Sequence, residues 1–110
     1  MAIFKVEGGH RLSGEVIPQG AKNEALQILC ATLLTKEKVV ISNIPPILDV
    51  MQLIELLAAL GVEVKRLGEE CYSFRANNVN LDFVHTDEYL RRCARLRGSV
   101  MLLGPMLGRF

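Results

Sequence analysis

The sequence predicts an α/β fold built on a repeated strand–helix–strand–helix–strand–strand (βαβαββ) unit. Three observations carry that prediction. Short apolar runs end at Gly or Pro, as strands do. Longer runs between them repeat at helical spacing. The order then restarts near residue 79, giving a second copy that is incomplete within the chain.

Taken in order, IFKVEGG (3–9) predicts a short strand and a turn, and LSGEVIP (12–18) a second strand closed by Pro18. From Ala21 to about Thr35, Ala25, Leu26, Ile28, Leu29, Cys30, Leu33 and Leu34 cover most of a helix circumference, which predicts a buried helix. KVVISNI (38–44) predicts a strand stopped by Pro45-Pro46. Asp49 is placed to N-cap the next helix, whose apolar residues Val50, Leu53, Ile54, Leu57 and Leu60 follow i, i+3, i+4, i+7. Gly61 ends it. VEVKRL and CYSFRA predict a hairpin across Gly68-Glu69-Glu70. VNLDFV (79–84) predicts a strand, and TDEYLRRCARLRGSVMLLGPML a helical stretch whose apolar end, 98–108, reads as buried.

The chain has 110 residues, half of them hydrophobic, with a mean hydropathy of +0.26. A domain of this size buries only about two-thirds of its unfolded surface, so apolar surface is left over for another domain or chain. A net charge of +1 gives no bulk attraction to nucleic acid or membrane. Cys30, Cys71 and Cys93 are odd in number and lack CxxC spacing, so neither a disulfide framework nor a metal site is indicated. The N-terminus carries no signal-peptide pattern, and GSVMLLGPMLG is about half a bilayer span and interrupted by Pro105. Together these predict a cytoplasmic protein.

Two places stand out chemically. Lys22 and Asn23 open the first apolar helix, where the helix dipole disfavours a cation. Either an anion offsets that cost, or Lys22 is a solvated residue beside a turn. Arg97 lies where the charged DEYLRRCARLR gives way to GSVMLLGPML; if the helix breaks at Gly98, Arg97 stands at a new helix start. It is then part of an anion cradle or one more solvated charge in a basic helix. His10 and His85 stand alone in turn-like sequence, and Cys93 reads as a buried thiol beside arginines. No GxGxxG or GxxxxGK[ST] loop occurs.

GEVIPQGAKNEALQILCATLL, together with GGHRLSGEV, ISNIPPILDV, LLAALGVEV and RLRGSVMLLGPMLGRF, resembles the enolpyruvyl transferase family along the whole chain. The resemblance implies two similar domains, each an inside-out α/β barrel of βαβαββ units with helices at its centre. Residues 1–20 would be strands of the second domain and 21–110 an incomplete first domain. Lys22 and Asn23 would bind at the phosphoenolpyruvate end, with Asn23 also near the sugar nucleotide, and Arg97 would contact UDP-N-acetylglucosamine. The shikimate branch of the family is expected to carry Lys-Ser where this chain has Lys22-Asn23, which favours the sugar-nucleotide branch, an enzyme of peptidoglycan synthesis. A shikimate-type fragment and a non-catalytic anion-binding module are the alternatives. The family's catalytic cysteine would lie beyond Phe110, so none of the three cysteines inherits its role. The resemblance implies no metal or cofactor, and it makes the 110 residues an inactive N-terminal part that needs the rest of the enzyme or associates with itself.

Overall fold

The computed structural model describes residues 2–110 and is a mixture of helix and strand, as the α/β reading requires. Helix α1 (Lys22–Ala31) runs into a 3-10 turn, Thr32–Leu34. Leu26, Leu29, Cys30 and Leu33 recur every three or four residues and are buried on one face. Ile28 and Leu34 are exposed, so α1 is not enclosed on all sides as its sequence predicts. Strand β1 (Lys38–Ile41) follows, then the Pro45-Pro46 stop.

Helix α2 (Leu48–Ala59) buries Val50, Leu53, Ile54, Leu56 and Leu57. It ends in a Schellman motif. Gly61 has φ +104°, its N–H reaches the Ala58 carbonyl at 3.1 Å, and the Val62 N–H reaches that of Leu57 at 3.0 Å. The hairpin forms as β2 (Glu63–Arg66) and β3 (Tyr72–Arg75). The sheet order is β1-β3-β2, antiparallel throughout, with Val39 and Val64 both opposite Phe74. Phe74 is fully buried and joins α1 and α2 in one core, against which Ile41, Val64 and Tyr72 also pack.

Beyond the sheet the structure departs from the sequence reading. Residues 79–84 form no strand; Leu81–His85 is a 3-10 helix. Asn80 explains the change, because its N–H binds the Leu60 carbonyl at 2.7 Å and its side chain accepts from the Asp82 N–H at 3.1 Å. Thr86 then caps α3 (Asp87–Arg95) by accepting from the Tyr89 N–H at 3.2 Å. Leu96 is extended (φ −124°, ψ 103°) and breaks the helical run one residue before Arg97. A 3-10 segment, Arg97–Leu102, leads into α4 (Leu103–Arg109). Only Leu102 is buried in that apolar stretch; Val100, Met101, Leu103 and Leu107 are exposed, against the buried helix expected. Arg109 pins the end of α4 to the end of the first helix by donating to the carbonyls of Leu33 (2.9 Å) and Thr35 (3.2 Å).

The two strands expected before Pro18 are also absent. Residues 2–20 form no regular element, and Ile3, Phe4, Val6, Leu12, Val16 and Ile17 are 82–92% exposed. A strand needs a ladder partner, and none of the described residues offers one to this arm. Among the described residues no helix is long and apolar enough to cross a membrane.

Candidate functional site

The site begins where two helices start side by side. Gly20 lies against the carbonyl of Asn43, so close that a Cβ at position 20 would collide with it. Asn43 takes a left-handed conformation (φ 59°), which asparagine tolerates better than most residues. From there the chain passes through buried Ile44 and Pro45 into α2. This backbone contact brings the first turn of α1 to the first turn of α2.

Lys22 Nζ lies 2.6 Å from Asp49 Oδ2, with side chains 50% and 39% exposed. The N-cap expected of Asp49 is corrected by this arrangement. Ile47 occupies the cap position without a side-chain hydrogen bond, and Asp49 sits inside the first turn of α2. The α2 dipole favours its carboxylate there, while the α1 dipole disfavours Lys22. The pair thus meets from within the chain the cost that an external anion was invoked to offset.

Lys22, Asn23, Gln27, Asp49 and Arg97 line one open cleft of about 300 Å³, with Leu26, Gly98, Val100 and Met101 as its apolar wall. Gly98 sets how closely the Arg97–Leu102 segment approaches α1, because a Cβ there would stand 3.0 Å from Leu26 Cδ1. Arg97 makes no hydrogen bond or ion pair with any of the described residues. It opens a six-residue 3-10 segment, so positive charge on that side comes from its guanidinium and not from a helix dipole.

The remaining candidates lie elsewhere. Arg91, Arg92 and Arg95 line a separate groove of about 360 Å³ with Gln52, Glu55 and Glu88. Arg92 is already engaged, at 2.9 Å from Glu88. His10, 3.7 Å from Glu7, and His85 are exposed. Among the described residues no three His, Cys, Asp or Glu side chains are grouped to hold a metal. Burial pushes the Cys30 thiol up to about 12, too high for a nucleophile at neutral pH. Burial first, then a hydrogen bond with Cys93, pushes Tyr89 up to about 12. Cys93 itself is half-buried.

Sequence reasoning missed Asp49 and Gln27 as cleft residues. Lys22 and Asp49 are far apart in the chain, and a lone Asp before an apolar run reads only as a cap. No local signal could have paired them.

Comparison with known proteins bears on the family of the chain. Residues 6–110 match the profile of the EPSP synthase (3-phosphoshikimate 1-carboxyvinyltransferase) family. A UDP-N-acetylglucosamine 1-carboxyvinyltransferase of Bacteroides thetaiotaomicron is 60% identical over 110 residues, covering 100% of this chain and 25% of that protein. The Porphyromonas gingivalis protein of the same name is 54% identical over the same shares, and that of Bradyrhizobium diazoefficiens 38% identical over 96% of this chain and 24% of its own length. The chain thus spans about a quarter of the length of the curated relatives it matches. With nearly every residue inside the matched range, this chain belongs to the EPSP synthase family of enolpyruvyl transferases.

Proposed function

We propose that these residues form one wall of the substrate cleft of an enzyme that transfers the enolpyruvyl group of phosphoenolpyruvate to the 3-hydroxyl of UDP-N-acetylglucosamine, a cytoplasmic step of peptidoglycan synthesis. The observation that carries the reading is the single cleft shared by Lys22, Asn23 and Arg97. The names of the relatives support the sugar nucleotide over shikimate phosphate as acceptor.

In this reaction the 3-hydroxyl loses its proton as its oxygen bonds to C2 of phosphoenolpyruvate, and C3 gains a proton. Phosphate then leaves the tetrahedral intermediate as C3 loses a proton, which restores the double bond. Lys22 holds the anionic donor and offsets charge as phosphate departs. Asn23 donates and accepts through its amide, and so orients the two substrates relative to each other. Arg97 anchors the nucleotide with its two-pronged fork, which suits a pyrophosphate. Holding both substrates in one cleft converts a bimolecular encounter into a local one. The nucleophile is the acceptor's own 3-hydroxyl, and the roles assigned to the three residues are binding, orientation and charge stabilisation. The extended arm, residues 2–20, takes the part of strands in a second domain, and its bare apolar side chains support that role. Left without that domain, the same surface favours self-association.

The test joins these 110 residues to the remaining three quarters of the Bacteroides thetaiotaomicron relative. The chimera is expected to release phosphate from phosphoenolpyruvate only when UDP-N-acetylglucosamine is present, and the 110-residue chain alone to release none. Turnover with shikimate 3-phosphate instead would move the chain to the other branch. Binding of UDP-N-acetylglucosamine by the 110-residue chain alone would favour the anion-binding module.

A further inference from the structure

We propose that Asp49 is a place-holding anion, which occupies the Lys22 ammonium while the cleft is empty and gives it up to an incoming phosphoenolpyruvate. The inference rests on the reading that Lys22 binds this substrate, and it adds a residue to which that reading assigns no part.

Four observations carry it. The ion pair is short, 2.6 Å, and neither side chain has another polar partner among the described residues. Both side chains line the cleft and are about half exposed, so a solute can reach the shared site from the open side. A pair exposed to this degree is held weakly and exchanges partners readily. Finally, the two members differ in what they fall back on. Asp49, inside the first turn of the twelve-residue α2, keeps the favourable helix dipole when Lys22 leaves. Lys22, the first residue of α1, has only water and the opposing dipole when Asp49 leaves, so an anion beside it is favoured. Exchange of one anion for a more highly charged one is therefore the favoured direction, and Asp49 is left in a place that tolerates it.

A permanent positioning role makes the opposite prediction. If Asp49 only aimed Lys22 at the substrate, its removal would weaken binding. If it competes, its removal strengthens binding by what the pair was worth, about two- to fivefold for an exposed pair.

The experiment measures KM and kcat for phosphoenolpyruvate in the chimera described above, with Asp49→Asn, Glu24→Gln, Lys22→Ala and the double variant Asp49→Asn/Lys22→Ala. Glu24 is the charge control, since it is exposed in the first turn of α1 but does not line the cleft. Competition is supported when Asp49→Asn lowers KM about two- to fivefold and by more than it changes kcat, when Glu24→Gln shifts KM by less than about 1.5-fold, and when the Asp49→Asn effect vanishes in the Lys22→Ala background. A KM that rises in Asp49→Asn, or that matches Glu24→Gln, overturns it. Failure of the underlying site reading has a separate signature: Lys22→Ala then keeps the unmodified chimera's KM and kcat, and the inference falls with it.

Discussion

Lys22 and Arg97 meet in one cleft but stand on different supports, and substitutions at the two should read out differently. Lys22 is paired, and its loss leaves Asp49 half exposed at a helix start, a stability cost of about 0.2–1 kcal/mol. Lys22→Ala in the chimera is expected to lower activity at least ~100-fold with an unchanged circular dichroism spectrum, as removal of a preorganised charge at a reacting centre does. A near-normal rate would return Lys22 to the role of a surface residue. Arg97 has no partner among the described residues to strand, so Arg97→Ala should leave stability alone and raise KM for UDP-N-acetylglucosamine about ten- to a hundred-fold, the worth of a charged hydrogen bond. Alanine at Arg91 or Arg92, which line the other groove, should change that KM by less than about threefold. Equal effects at all three would mean diffuse attraction. At this scale the sequence offers Lys22, Asn23 and Arg97 through their motifs, but not Asp49, because an ion pair that closes across 26 intervening positions leaves no periodic trace.

At the scale of elements, what was legible is what is locally encoded. Helix α2 is written in its spacing, its end in Gly61, and the hairpin in two short runs around Gly68. Elements that need distant partners were not legible: IFKVE and LSGEVIP have strand-like patterns but no ladder to join, and VNLDFV is diverted by the hydrogen bonds of Asn80. The break before Arg97 falls at Leu96 and not at Gly98, whose small size serves packing against Leu26 instead of a turn. That contact gives a prediction for the element. Gly98→Val should force the Arg97–Leu102 segment off α1, cost about 1–3 kcal/mol by overpacking, and raise KM for UDP-N-acetylglucosamine without removing any charged group. Urea unfolding and steady-state kinetics check both halves. Unchanged stability would show that the segment does not rest on Leu26.

For the whole molecule, 110 residues packed as one globule would have a radius of gyration of about 13 Å. The chain measures 17.6 Å in radius of gyration and 59 Å along its longest axis, with an exposed arm and exposed apolar side chains at Val100, Met101, Leu103 and Leu107. The cohesive part is the core of α1, α2 and Phe74, and Cys30 lies within it. Its thiol, ordinarily near 9.0, and the Tyr89 hydroxyl, ordinarily near 10.0, both hold their protons to about 12 in the folded state. The unfolded chain loses those protons first as pH rises, so it binds fewer protons than the native state and stability falls with pH. The contribution is complete below about pH 9 and is lost between there and about pH 12. The urea midpoint is expected to hold from pH 7 to 8.5 and drop above 9, with a shallower drop in Cys30→Ala. A midpoint that stays level to pH 11 would mean that water reaches Cys30 in the native state.

The sheet order has a consequence in time. Strand β3 lies between β1 and β2 yet is the last of the three in the chain, 31 residues after β1 ends (72 − 41). On a ribosome adding about 5–20 residues per second, β1 waits about 2–6 s for its only neighbour in this sheet. During that interval both of its edges are open to another nascent chain. The charges that the strand carries at Lys38 and just before it at Lys36 and Glu37, together with those of β2 at Glu63, Lys65 and Arg66, discourage such pairing, since a bare apolar edge is the template for misassembly. Residues that look like ordinary surface in the finished fold are thus the guards of an unfinished one.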